Sequence, residues 1–376
     1  MTVPSQPSVR HPWRLRDLLR KLHLWLGLSV GLAFAVLALS GTVLAFQTDL
    51  LRWRHPELFG HALPTPAQRA AILERIHDAH WSAPLRSIDT PTAELPVWQL
   101  SLAGEKRVYL DPADGHELLT RSKDHDLVLW LRDLHTHLLS GKNGETALGI
   151  LGLAELSLIL IGLTLWWPRR GHWRHAVRMY AQPPTRRWRS WHQSVGAMLF
   201  PLLLLSTLTG ITLIYKDTTR NVLATAFGDR QGPPSKARAL PPRDMPLQWA
   251  ASLAAAQAVL PDAELRRITL PNEKNAALTV RARGPREWNA VGRSAVVIDP
   301  YSATVLSVYD AQAQGGGARL IDKLYPVHTG QVGGVPWQLL IGVVGVLPAF
   351  FLATGFLFWR TRRRHLKHAQ HMLGKA

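Results

Sequence analysis

Four apolar stretches constrain this chain more than any other feature: Leu24 to Phe46, Leu148 to Trp167, Val195 to Tyr215 and Val335 to Trp359. Each reaches the roughly 20 mostly apolar residues that a helix needs to cross a bilayer. A core helix of a soluble domain is shorter and keeps a polar face, so four transmembrane helices are predicted. The near-zero mean hydropathy is consistent with this, because two long polar segments offset the apolar blocks.

Charge orients the spans. A net charge of +18 would suit nucleic-acid binding if it formed a patch on a soluble surface. Its location excludes that class. Arg10, Arg14, Arg16, Arg20 and Lys21 precede the first span. Arg169, Arg170, Arg174, Arg178, Arg186, Arg187 and Arg189 lie between the second and third, and Arg360, Arg362, Arg363, Arg364, Lys367 and Lys375 follow the fourth, with Asp17 the lone acid in these segments. Positive charge concentrated in short connecting segments marks the cytoplasmic side. The expected order is a cytoplasmic N-terminus (1–23), a first span (24–46), an outer domain with an interfacial helix (47–147), a second span (148–167), a basic cytoplasmic loop (168–191), a third span (192–215), a second outer domain (216–334), a fourth span (335–359) and a basic tail (360–376). Such a chain is expected to be a multi-pass membrane protein with both termini in the cytoplasm and both long segments outside or in a periplasm. The first apolar run exceeds a signal-peptide h-region and no A-x-A site follows it, so it is expected to stay as an anchor.

The chain reads as a tandem duplication. The first span laid over the third pairs His23 with His192, Gly27 with Gly196, Gly41 with Gly210 and Phe46 with Tyr215; the second laid over the fourth pairs His135-Thr136 with His328-Thr329, Gly141 with Gly334, Gly152 with Gly345, Gly162 with Gly355 and Trp166 with Trp359. Both halves cross in the same sense, so equivalent residues are expected at equal depth. The outer segments repeat too. The first predicts a helix over Pro66 to His80 and strands over Val97 to Leu102, Arg107 to Asp111 and Glu117 to Thr120. The second predicts a helix over Pro246 to Leu260 and strands over Leu265 to Leu270, Ala277 to Arg283, Ser294 to Asp299 and Thr304 to Val308. Each is read as a small α+β domain, with Gly232 to Pro242 as a linker.

There is no cysteine. That removes disulfides, thiolate-bound zinc, iron–sulfur clusters and covalent haem attachment. Histidine, with 17 copies, is left as the candidate ligand. A lone histidine at a helix end usually sits among lipid headgroups, and His172, His175, His365, His368 and His371 in the basic segments are read that way. Duplication singles out four others: His23 with His192 at the cytoplasmic end, His135 with His328 near the outer end. Opposed imidazoles at one depth are what axial ligation of haem iron requires. From His23 to Gly41 is five helical turns, a climb of about 27 Å, so Gly41 and its equivalent Gly210 leave room at the depth expected for the outer pair. Gly27 and Gly196, one turn beyond each inner histidine, remove bulk in the same way, although small residues also serve plain helix packing. His135 and His137 share a predicted amphipathic helix, Leu127 to Leu139, but point about 160° apart. The repeat selects His135, because glycine stands opposite His137. Glu155, the one acid inside a span, is a functional candidate by location, though its repeat equivalent is Pro348.

At Leu22-His23-Leu24-Trp25-Leu26-Gly27, Ser40-Gly41, Tyr109-Leu110-Asp111-Pro112, Leu134-His135-Thr136, Trp191-His192-Gln193-Ser194-Val195-Gly196 and Val327-His328-Thr329-Gly330 the chain resembles the PepSY-associated transmembrane family. That resemblance implies an iron-regulated inner-membrane protein with PepSY-like outer domains, similar to two-haem reductases of ferric siderophores. It carries the axial ligands of two non-covalent b-type haems onto His23 with His192 and His135 with His328. A ferric siderophore or other ferric chelate is then the expected substrate, and a separate electron donor is expected because no flavin-binding segment is recognised. The second outer domain departs from the first, with Pro300-Tyr301-Ser302-Ala303 in place of the Pro-Ala-Asp-Gly turn. A rival expectation is a haem-free scaffold whose outer domains restrain an envelope peptidase or sense a ligand. A transporter fits less well, since interrupted membrane helices and several intramembrane charges are missing.

Overall fold

The computed structural model describes residues 15–168, 171–229, 240–272 and 275–373. Arg10, Arg14, Arg169, Arg170, Lys375 and most of the linker expected at Gly232 to Pro242 lie outside the described residues. In chain order the helices are α1 (Leu15–Ala45), α2 (Gln47–Arg54), α3 (Pro66–Asp78), α4 (Leu127–His137), α5 (Gly141–Trp166), α6 (Trp173–Ala176), α7 (Pro184–Ile214), α8 (Lys216–Phe227), α9 (Trp249–Val259), α10 (Gly316–Thr329) and α11 (Gly334–Leu373). The strands are β1 (Leu85–Asp89), β2 (Trp98–Leu102), β3 (Lys106–Leu110), β4 (Glu117–Arg121), β5 (Glu264–Thr269), β6 (Leu278–Arg283), β7 (Ser294–Asp299) and β8 (Thr304–Tyr309).

Four helices, α1, α5, α7 and α11, are long and apolar enough to cross a membrane. All four outrun their apolar blocks. The helix continues into flanking turns such as Arg16 to Lys21 of α1, because arginine, lysine and leucine are good helix formers. The chain divides into two compact units. One holds the residues up to Leu39, Ala147–Ile211 and those from Val343 on; the other holds Ser40–Thr146 and Thr212–Gly342.

In the first unit, Ile159, Leu203 and Val344 from α5, α7 and α11 are buried together, with Phe351 against them. The second unit is built on one antiparallel sheet of eight strands in the order β4-β3-β2-β1-β5-β6-β7-β8. Sequence reading expects two separate sheets; instead β1 pairs antiparallel with β5, joining them. The junction is sealed by Thr90 Oγ1, which donates to the Leu265 carbonyl at 2.7 Å, and by the Asp89–Arg267 ion pair. One sheet face is apolar and continuous across that junction. Ile88, Leu100, Val108, Ile268, Val280 and Val296 alternate onto it, and Ile72, Leu73 and Ile76 of α3 pack there with Trp249 and Ala256 of α9. Burying each Ile, Leu or Val side chain is worth about 1.5–3 kcal/mol, so this shared core holds the two halves as one body. Thr65 starts α3 with a capping box, its hydroxyl accepting from Gln68 N–H while the Gln68 side chain accepts from Thr65 N–H.

Candidate functional site

Both histidine pairs expected from the repeat are brought together. In the first unit the rings of His23 (α1) and His192 (α7) have centroids 6.2 Å apart with planes at 90°. In the second, His135 (α4) and His328 (α10) are 6.3 Å apart with planes at 37°. Two imidazoles sharing one metal through bonds of about 2 Å have centroids about 6 Å apart, so both separations suit a common axial metal. His137 is directed elsewhere: its Nδ1 lies 2.7 Å from Thr136 Oγ1 and 3.4 Å from Asp133 Oδ1. His172, His175, His365, His368 and His371 are exposed.

Three of the four rings have a glycine where another residue would press on them. A Cβ on Gly162 (α5) would meet His23 Cε1 at 3.1 Å, one on Gly355 (α11) would meet His192 Cε1 at 3.6 Å, and one on Gly41 (α1) would come within 2.8 Å of His135 Cε1. Gly41, expected to leave room for a histidine, stands against the His135 ring. Gly210 lies half-buried in α7.

Hydroxyls orient two of the rings. Thr354 Oγ1 donates to the Phe350 carbonyl at 2.8 Å, so toward His192 Nδ1, 3.0 Å away, it acts as acceptor. Nδ1 of His192 then carries the proton and Nε2 keeps its lone pair for a metal, the arrangement that outer-shell partners impose on ligating histidines. Ser40 Oγ stands 3.1 Å from His135 Nδ1, within hydrogen-bond reach of that ring. His23 differs, because its buried Nδ1 makes no hydrogen bond. Sequence reading missed Gly162, Gly355 and Thr354 as site residues. The usable signal was a hydroxyl followed by glycine, Ser40-Gly41 and Thr354-Gly355.

A cavity of about 1070 Å³ opens beside the first pair, at the upper end of the range for small-molecule and cofactor sites. Gly27, Gly31, Gly162, Gly196 and Gly355 line it and account for its width; Phe351, whose ring centroid is 5.2 Å from that of His192, closes one side. Buried Glu155 also lines it, as does Pro348 at the repeat-equivalent position. Arg16, Arg20, Lys21, Arg189 and Arg362 line it too, with Asp17 paired to Arg20 at 2.9 Å. A flat, largely apolar group carrying acidic substituents fits this combination of bare glycine walls, paired imidazoles and basic lining. Haem b has that character.

The position of the second pair is fixed by the start of α4. Asp126 caps that helix, accepting from Leu129 N–H at 3.0 Å, and takes both ends of the Arg121 guanidinium at 2.8 and 2.9 Å. Burial alone would raise the Asp126 pKa, but the Arg121 fork and the backbone N–H outweigh it and hold the carboxyl below its ordinary range. Lys123 adds a 3.1 Å contact to Asp133 on the next turn. The one other cluster of metal-binding groups among the described residues is Asp111, Asp114 and His116. Its acids serve a turn: Asp111 Oδ1 accepts from Ala113 N–H at 2.7 Å, and Asp114 Oδ1 from His116 N–H at 3.0 Å.

No curated protein sequence matches the chain. Residues 20–362 match the family described as the PepSY-associated TM region. That span takes in the apolar stretches of all four long helices, both histidine pairs and the whole sheet, and the protein is a membrane protein belonging to the PepSY-associated TM family.

Proposed function

We propose that the protein is a two-haem electron-transfer protein of the bacterial inner membrane that reduces a ferric chelate on its periplasmic side. The observation that carries the reading is the pair of imidazole pairs, 6.2 and 6.3 Å apart, with glycines against three of the four rings. His23 with His192 and His135 with His328 would hold one haem b each without covalent attachment, as a chain with no cysteine requires. Bis-imidazole haem supplies one-electron chemistry and leaves no open iron position for oxygen. Thr354 fixes the tautomer of His192 that offers Nε2, Ser40 would help orient His135, and the basic side chains lining the first cavity would pair with the carboxylates of a haem held there. In the overall reaction a separate donor gives one electron, the chelated ferric ion becomes ferrous, and oxygen ligands that grip the ferric ion loosen.

The basic segments support an orientation with both termini in the cytoplasm and the sheet in the periplasm. The matched offsets of the histidines, the glycines and the strand order β4-β3-β2-β1 against β5-β6-β7-β8 support an ancestral duplication, with one PepSY-like half-sheet from each copy. The test is an absorption spectrum of the purified protein before and after dithionite. The wild type should show a haem Soret band that shifts on reduction, and His23→Ala and His328→Ala should each remove about half of it. A colourless protein, or a Soret band unchanged in both variants, would overturn the reading.

A further inference from the structure

The sheet face opposite the apolar core is basic beyond what its own acids neutralise. Strand register places Arg107 opposite Arg121 and Arg267 opposite Arg281, two like-charged pairs where a stable sheet would avoid them. All four alternate with core residues such as Val108, Ile268 and Val280 and so point to the other face. Arg132 of α4 lies close enough for its charge to act on Arg107. Asp126 neutralises Arg121 and Asp89 neutralises Arg267. Among the described residues no carboxylate pairs with Arg107, Arg132 or Arg281. Arg107 has the Tyr109 phenol beside it, and Arg281 donates to the Gly292 carbonyl.

These guanidiniums are not at ease. Burial, with Arg132 next in weight, lowers the pKa of Arg107; burial, with Arg293 and Arg267 adding to it, pulls Arg281 down to about 10. Arginine keeps its charge in proteins; Glu287 and Asp89 offset part of it at Arg281, whereas at Arg107 and Arg132 a surplus of half-buried positive charge persists that an anion from outside the chain can neutralise. From β3 to β6 is four strand spacings, about 19 Å, with neutral Gln99, Ser101 and Ser87 between the arginines on this face. A single small chelate cannot serve both ends, and the Arg107 end, where Arg132 and Arg121 act on Arg107 with no carboxylate among them, is the one that needs it.

The face also adjoins the second histidine pair. Arg132 precedes His135 by three residues on α4, and Tyr325 precedes His328 by three on α10, so each shares a helix face with its histidine. Tyr325 in turn acts electrostatically on Arg267.

We propose that this arginine face binds the ferric chelate, and that the chelate is polyanionic and carboxylate-bearing, held by guanidinium forks within one helical turn of the His135–His328 pair. The class follows from the donors: a planar guanidinium matches a carboxylate with two parallel hydrogen bonds, which a lysine cannot do. The inference deepens the reductase reading and rests on it for the word substrate, but its test does not need electron transfer.

The probe is gallium(III) citrate, which cannot be reduced, titrated calorimetrically into the full-length protein in detergent. Wild type should bind it, with affinity falling as salt rises. Arg107→Gln should weaken binding at least tenfold, with Arg107→Lys in between, while Arg281→Gln, four strand spacings away, should change it little, and haem absorbance should be unchanged in all three. Equal binding by Arg107→Gln, or preference for the cationic gallium complex of a trihydroxamate, would overturn the inference. So would variants that lose haem absorbance, since the arginines would then serve the carboxylates of a resident group. Arginine-dependent binding by a protein that proves colourless would uphold the anion site while removing the reductase reading.

Discussion

The two histidine pairs have nearly the same ring separation, 6.2 and 6.3 Å, but they are supported in different ways. His23 and His192 stand on long apolar helices, beside a cavity whose walls are thinned by glycines and lined in part by basic side chains. His135 and His328 stand on two short helices of the sheet-bearing unit, α4 and α10, and their neighbours one turn away interact with an arginine-rich sheet face. One pair is held by membrane-helix packing. The other depends on ion pairs and caps that water and pH can reach. On the proposed function the same ring geometry would serve two tasks: an enclosed relay in the first unit and a point of contact with a soluble anion in the second.

The difference can be broken most strongly at Asp126. Asp126→Ala removes the α4 cap and leaves Arg121, whose side chain is 9 % exposed, without its partner; losing one member of a buried pair costs about 3–5 kcal/mol. The expected outcome is a lower melting temperature and loss of the haem held by His135 and His328, with the His23–His192 haem kept, read as a halved Soret band. Acid should act in the same direction. The folded-state pKa of Asp126 is depressed, so its contribution is complete above the ordinary carboxylate pKa and is lost as pH falls through the lowered folded value. Acid titration should therefore release the second haem before the first. Simultaneous loss of both would mean that the two pairs are not independently supported.

A smaller effect separates the hydroxyls. Thr354→Val keeps shape and takes away the acceptor for His192 Nδ1; losing such an outer-shell partner typically costs about 10–100-fold in metal affinity. Haem dissociation into apomyoglobin should speed up for one haem only. Ser40→Ala should do the same for the other, through His135. If either variant destabilises both haems alike, the hydroxyls act through general helix packing rather than through the ring they touch.

These supports were unequally legible in the sequence. The four spans could be read because hydropathy is a strong, redundant signal, and matching offsets picked out of seventeen histidines the four whose rings face one another in two pairs. Thr354 could not: a threonine in an apolar helix ordinarily bonds back to its own preceding turn, as its 2.8 Å bond to Phe350 does, and nothing in one sequence says that its lone pair also faces His192. Strand β1 was missed for a different reason. A register shift between Leu85 and Ser87 breaks the two-residue alternation that marks a strand, and without β1 the pairing to β5 that merges the outer segments has no visible edge. The arginine face was hidden as well, since Arg107, Arg121, Arg267 and Arg281 come from distant segments and meet only through strand register.

The finest contrast lies inside the first pair. His192 has Thr354-Gly355 against it; at the repeat-equivalent position His23 has Ile161-Gly162, so the glycine is kept and the hydroxyl is absent. Accordingly Nδ1 of His192 is bonded while that of His23 is buried without a partner. Ile161→Thr should supply the missing acceptor, because a threonine on α5 can donate to the preceding turn and turn a lone pair to the ring as Thr354 does. A neutral hydrogen bond of this kind is worth about 0.5–1.5 kcal/mol, so the first haem should dissociate a few-fold more slowly, with Ile161→Val as the control for lost bulk. The Gly162 contact is the tighter of the two, 3.1 Å against 3.6 Å, and it offers the competing account. If Ile161→Thr and Ile161→Val behave alike, His23 is held by packing on Gly162 alone, and the two ligands of one haem are oriented by different forces.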